Sequence, residues 1–233
     1  METSLHRALK KLYAGEGAQT EVRLGAFRID AVVGDELVEI QHGSLAAIRD
    51  KIRRLLEGHR VRVVKPIVAS KVLVKRARKN GRVTERRNSP KRGALLDVFD
   101  ELVYFTRVFP HERLTLELVL VDIEEWRYPG HGRRRRCRKN DFVVEDQKLC
   151  EVREALRLVT GDDLRRLAEC PLPVAFDTAE LASGLGVRRW IAQRIAYCYR
   201  EMGIARIAGK RGNAILYEFV TPDAKPRRRR RAG

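Results

Sequence analysis

Residues 21–41 read Glu-Val-Arg-Leu-Gly-Ala-Phe-Arg-Ile-Asp-Ala-Val-Val-Gly-Asp-Glu-Leu-Val-Glu-Ile-Gln. The stretch alternates with period two, the signature of half-buried strands. Gly25-Ala26 and Gly34-Asp35 divide it into three, and a Gly-containing pair suits a two-residue hairpin turn. This register sets Leu24 opposite Phe27 and Val33 opposite Glu36. Glu21, Asp30 and Glu39 then form a row across three strands, with opposed Cβ atoms ~5 Å apart. Gln41 lies two residues further on the face of Glu39. The other face carries Val22, Leu24, Phe27, Ile29, Ala31, Val33, Val38 and Ile40. A slip of one residue would invert both faces. Like charges facing one another destabilise a hairpin, so the row predicts a compensating cation. Clustered carboxylate oxygens suit Mg²⁺ or Mn²⁺.

The neighbours extend the pattern. Ser4 to Tyr13 carries Leu5, Ala8, Leu9 and Leu12 at helical spacing. Ser44 opens a second helix with Leu45, Ile48, Ile52, Leu55 and Leu56 inward. Its Arg49 and Lys51 read as solvated charges, and either is a candidate cation for the carboxylates. Val61 to Val68 is an apolar strand. Asn80-Gly81 marks a basic hairpin between Lys71 and Arg87. A helix over 94–105 and a strand over 114–123 follow.

Ile29-Asp30, then Glu39-Ile40-Gln41 after eight residues, in the order helix, three strands, helix, strand, resembles the PD-(D/E)XK nuclease superfamily over residues 1–68. The resemblance implies a restriction-endonuclease-like α/β core with a mixed sheet. It implies that Asp30 and Glu39 bind a divalent metal, and that phosphodiester bonds are hydrolysed. Gln41 stands where most of that superfamily carries Lys, as it does in some restriction-type members. Glu21 is a further acidic candidate. In related proteins the extra acid often comes from the first helix.

The C-terminal part reads differently. Asp177-Thr178-Ala179-Glu180 is a capping box, Val187 to Met202 is a helix closed by Gly203, and strands over 204–207 and 215–220 follow. Helices over 145–159 and 162–168 would complete the bundle. This layout resembles a winged helix-turn-helix, which implies DNA contact through Arg188, Arg189, Gln193, Arg194 and Tyr197 on the second helix, and through Lys210 and Arg211 on the wing. The expected domains are 1–132, a basic linker 133–139, 140–221, and a disordered basic tail 222–233.

Charge supports a polyanionic partner. The 233 residues carry 49 Lys plus Arg against 31 Asp plus Glu, a net +18. The excess is concentrated in residues 65–92, in 133–139 with Arg133, Arg134, Arg135 and Arg136, and in 225–231. Local runs of this kind fit nucleic acid. Basic amphipathic helices for a membrane surface are missing from the pattern, and so is an apolar run long enough to span one. Cys137, Cys150, Cys170 and Cys198 lack zinc-site spacing. The expectation is a cytoplasmic, nucleoid-associated endonuclease acting on double-stranded or branched DNA, with a second copy of the chain as a candidate partner. The alternatives are a non-catalytic DNA-binding regulator on a degenerate nuclease fold, and RNA processing.

Overall fold

The computed structural model describes residues 2–15, 17–130 and 141–220. The chain forms two compact units, residues 1–160 and 161–233.

The first unit is mixed α/β. Helix α1 (Ser4–Ala14) begins at Thr3, whose hydroxyl accepts from His6 N. Strands β1 (Gln19–Leu24), β2 (Phe27–Val33) and β3 (Glu36–Ile40) form an antiparallel meander. A 3-10 turn, Leu45–Ile48, leads into α2 (Arg49–Leu55), and β4 (Arg60–Arg76) follows. Next come β5 (Val83–Asn88), a 3-10 turn at Leu95–Val98, α3 (Phe99–Leu102), β6 (Leu114–Pro129) and β7 (Phe142–Leu158). The seven strands make one sheet in the order β1-β2-β3-β4-β6-β7, with β5 also on β4. The pairs β3–β4 and β4–β6 are parallel and the others antiparallel. The parallel crossovers run through α2 and α3.

The expected turns and register are observed. Leu24 pairs with Phe27, and Val33 with Glu36. Gly25 and Gly34 both take the left-handed backbone that such turns require, at φ 57° and 61°. Ala31, Val38 and Ile40 pack with Leu5, Leu9 and Ala14 of α1 in a core that reaches Val64, Val119, Val121 and Ile123. Val61, Val63, Leu116 and Leu118, of the other parity, are buried too. Two expected inward residues differ: Leu12 is 57% exposed and Val33 36%.

Strand β3 pairs with β4 along residues 60–64, and β5 along 72–76. Chain segments fill the gap between them. Gln41 N donates to Val64 O, Ser89 N to Lys71 O, and Gly93 N to Ala69 O. A Cβ at Gly93 would come within 2.4 Å of Val68 O, so the approach requires glycine. The buried Lys65 donates to the carbonyls of His42 (3.2 Å) and Gly43 (2.5 Å), which fixes the turn after β3.

The second unit holds α4 (Gly161–Leu167), α5 (Thr178–Leu185), α6 (Arg189–Glu201), and a hairpin of β8 (Ala205–Arg211) and β9 (Ala214–Phe219). Phe176, Leu181, Ile195, Cys198 and Tyr199 are buried in it. Residues 145–159, expected as a helix of this unit, instead lie largely within β7 of the first. The division therefore falls after residue 160 and not near 140. The expected linker 133–139 and tail 222–233 lie outside the described residues. Among the described residues, no helix is long and apolar enough to cross a membrane.

Candidate functional site

The β2–β3 ladder stops at Ala31↔Val38. Continued by one step, it sets Asp30 opposite Glu39. There Asp30 turns its carboxylate to the facing backbone, and Oδ2 accepts from Ile40 N at 2.8 Å. Its Oδ1 lies 3.0 Å from His6 Nε2 and 3.9 Å from Lys10 Nζ, both on α1. Burial works against the Asp30 anion. The His6 contact, the Ile40 N–H and the Lys10 charge outweigh it, so the carboxyl sits below its usual range.

Glu39 is 9% exposed. Its Oε1 accepts from Lys51 Nζ at 2.6 Å, and Lys51 also donates to Arg28 O at 2.5 Å. Its Oε2 is buried and meets no hydrogen-bond partner among the described residues. Burial raises the Glu39 carboxyl above its usual range. The Lys51 contact opposes that shift, and the nearby Asp30 charge adds to it.

Glu21 behaves differently from the expected row. The β1–β2 pairing steps from Thr20 to Val22, and Glu21 takes φ 60°, a left-handed conformation rare outside glycine. Its carboxylate is ion-paired with Lys10 and Arg28. It thus reaches Asp30 only through the shared Lys10. Gln41 also turns away: its Nε2 donates to Ser44 O at 2.7 Å. Two carboxylates, Asp30 and Glu39, are left with an orphan oxygen between burial and charge. That donor set suits a hard divalent cation. Among the described residues, no group of three His, Cys, Asp or Glu side chains gathers to hold a metal.

Two side chains of this site, His6 and Lys10, go unmarked in the sequence pattern, whereas Lys51 stands there as a candidate cation. Lys51 looks like a solvated helix charge in sequence, yet only 18% of its side chain is exposed because it spans from α2 to Glu39. Arg49 stays outward, 3.5 Å from Asp50. His6 and Lys10, four residues apart, share one face of α1, and Glu2 just before the helix lies 3.7 Å from His6 and 2.7 Å from Lys10. That stripe was visible beside Leu5 and Leu9 and could have flagged the helix as a site wall.

In the second unit, Arg188, Arg189, Gln193 and Tyr197 are exposed. Arg194 is half-buried, with its guanidinium 4.8 Å from the ring centre of Trp190. Trp190 is 43% exposed. Lys210 is exposed near the hairpin tip. Arg211 is held at 2.8 Å by both Asp177 and Glu180. Arg133, Arg134, Arg135 and Arg136 lie outside the described residues.

The extent of the sheet unit matches a known family boundary. A family model described as "Domain of unknown function (DUF8091)" matches residues 3–159. The chain belongs to this family. The DUF8091 match ends at the edge of the first unit, so α1, the meander and β7 fall together within it. A Treponema pallidum (strain Nichols) protein described as "Uncharacterized protein" is 31% identical over 223 residues, spanning 95% of this chain and 86% of that protein. No solved structure matches the chain.

Proposed function

We propose that the protein is a divalent-metal-dependent DNA endonuclease, with a restriction-endonuclease-like first unit and a winged-helix second unit that holds duplex. The observation that carries this reading is the meeting of Asp30 and Glu39 where the β2–β3 ladder ends, with Lys51 on Glu39 Oε1 and Oε2 unpartnered. Asp30 and Glu39 would hold Mg²⁺ or Mn²⁺. Mg²⁺ is commonly bound by one or two carboxylates and keeps water and phosphate oxygens for the rest, so two suffice. A bound ion of this kind supplies a water of lowered pKa and neutralises charge on the phosphoryl oxygens.

The chain's own groups supply the remainder. Lys51 brings a fixed cation to the position where charge grows on the phosphate, the task that Lys at position 41 would have had. Ile40 N–H and His6 orient the Asp30 carboxylate. Lys10 gathers Glu21 and Asp30 into one electrostatic unit. In the second unit, the exposed Arg188 at the N-cap of α6, Arg189 and Gln193 on α6, and Lys210 near the hairpin tip fit groove and phosphate contact. Association with the nucleoid would follow from that contact.

A second reading has its own support. Each of the three carboxylates already has a lysine partner within the chain, Lys10 for Glu21 and Asp30 and Lys51 for Glu39, and Gln41 is spent on Ser44. On that basis the fold would serve as a DNA-binding regulator. Incubation with plasmid and branched DNA in Mg²⁺ or Mn²⁺ separates the two. Cleavage by the native chain, lost in Asp30→Ala and in Glu39→Ala with DNA affinity kept, is the expected result. Binding without cleavage on any substrate would leave the regulator.

A further inference from the structure

The first unit has a second polar recess, at the other end of the long strands. It opens at the end of β4, twelve residues beyond Val63, the residue that pairs with Glu39. Lys75 from β4, Thr84 and Arg87 from β5, Arg127 and Tyr128 from β6, and Phe142 from β7 line a cleft of about 650 Å³. The Lys75 and Arg87 side chains share one carboxylate, that of Glu85. Arg127 lies with its guanidinium 4.5 Å from the ring centre of Phe142. Phe142 remains 37% exposed. Asp141 is the acidic group on the wall. Its carboxylate packs against Gly130, where a Cβ would come within 2.4 Å of it.

An exposed phenyl ring is costly to leave in water, and the three cations outnumber the two carboxylates, Glu85 and Asp141, by one. A concave basic track with an aromatic face is the pattern that holds single strands. Phosphates run along the cations while an unpaired base stacks on the ring. A duplex hides its base faces, so stacking there would require bases to be unstacked first. We infer that this cleft binds single-stranded nucleic acid, with Phe142 as the base platform and Arg127, Arg87 and Lys75 on the phosphates.

The inference deepens the nucleic-acid reading and rests on it for the class of ligand. It assigns a single-stranded segment, as at a junction, flap or end, to the first unit. It requires no cleavage.

The test is equilibrium anisotropy on the full chain in EDTA, with a labelled oligothymidylate of about twelve nucleotides, within the usual single-strand site size. A blunt duplex is the comparison. Phe142→Ala is expected to weaken the single strand about 10-fold, and Phe142→Tyr to restore it. Arg127→Gln should reduce the slope of log affinity against log salt by about 0.7, one single-strand phosphate contact. Duplex affinity should be unchanged in all three variants. Single-strand affinity equal to that of the native chain in both Phe142→Ala and Arg127→Gln would overturn the assignment. So would equal losses on single strand and duplex, which would mark only general charge. Because the assay contains no metal and reads no cleavage, a failed nuclease reading leaves its result intact. Loss of all nucleic-acid affinity by the native chain would sink both.

Discussion

Glu39 is a carboxylate in an unfavourable place. One oxygen has Lys51 and the other has nothing, and burial lifts its pKa above the usual glutamate value. The sign for stability follows. A carboxyl with a raised folded pKa stabilises the fold below the unfolded pKa, and that contribution is lost as pH rises through the folded value. Near pH 7 the ionised Glu39 therefore burdens the fold. Glu39→Gln keeps an acceptor for Lys51 and removes the charge. It should melt higher than the native chain near pH 7, with the gap closing near pH 4, and it should lack metal-dependent cleavage. A thermal melt series across that range reads the outcome, and a lower melting point near pH 7 would refute the account. Asp30 has the opposite sign: its carboxyl is held below the usual range and contributes stability that fades only as pH falls through the folded value. One destabilised carboxylate beside one stabilised carboxylate is the stability cost that the proposed metal site would carry.

At the scale of elements, β7 shows why part of the fold was hidden. Its inward residues Leu149, Val152, Leu156 and Leu158 are spaced by three, four and two, close to a helical rhythm, and the sequence between them is rich in helix formers. The strand pairing explains the spacing. The register with β6 shifts between Leu120 and Val121, between Asp122 and Ile123, and between Trp126 and Arg127, and each shift leaves an extra residue in β7. Bulges destroy period two, so a strand imitates a helix. They also blunt this sheet edge as a template for pairing with a second copy. The meander, by contrast, was legible because its two turns and its alternation agree. The capping box at α5 was legible for the same local reason. Asp177 Oδ1 accepts from Ala179 N at 2.7 Å and Glu180 N at 3.0 Å, and Glu180 Oε2 accepts from Asp177 N at 2.8 Å. Arg211, 34 residues away, could not be read from that motif. Asp177→Ala should cost the second unit about 1 kcal/mol, measured by urea unfolding. The Arg211 contact and the helix N–H groups hold the Asp177 carboxyl at about 2. The loss should therefore shrink as pH falls from about 4 toward 2, where the native cap is itself protonated.

For the whole molecule the governing quantity is the uneven +18. The first unit pairs many of its charges internally, as with Arg153 on Asp122 and Arg157 on Glu117. Residues 225–231 add one lysine and five arginines with no acid among them. Each lysine or arginine that neutralises a duplex phosphate releases counterions and steepens the salt dependence by about 0.9. If this segment lies on DNA, removing residues 222–233 should flatten the slope of log affinity against log salt by up to about five. It should weaken duplex binding at low salt far more than at high salt. Arg188→Ala at the N-cap of α6 and Arg189→Ala in its first turn should each change the slope by about one. Fluorescence anisotropy on one duplex at several salt concentrations measures all of these together. A truncated chain with the native slope would show that the terminal charges do not reach the phosphates. Duplex affinity would then have to come from the cationic surfaces of the two units.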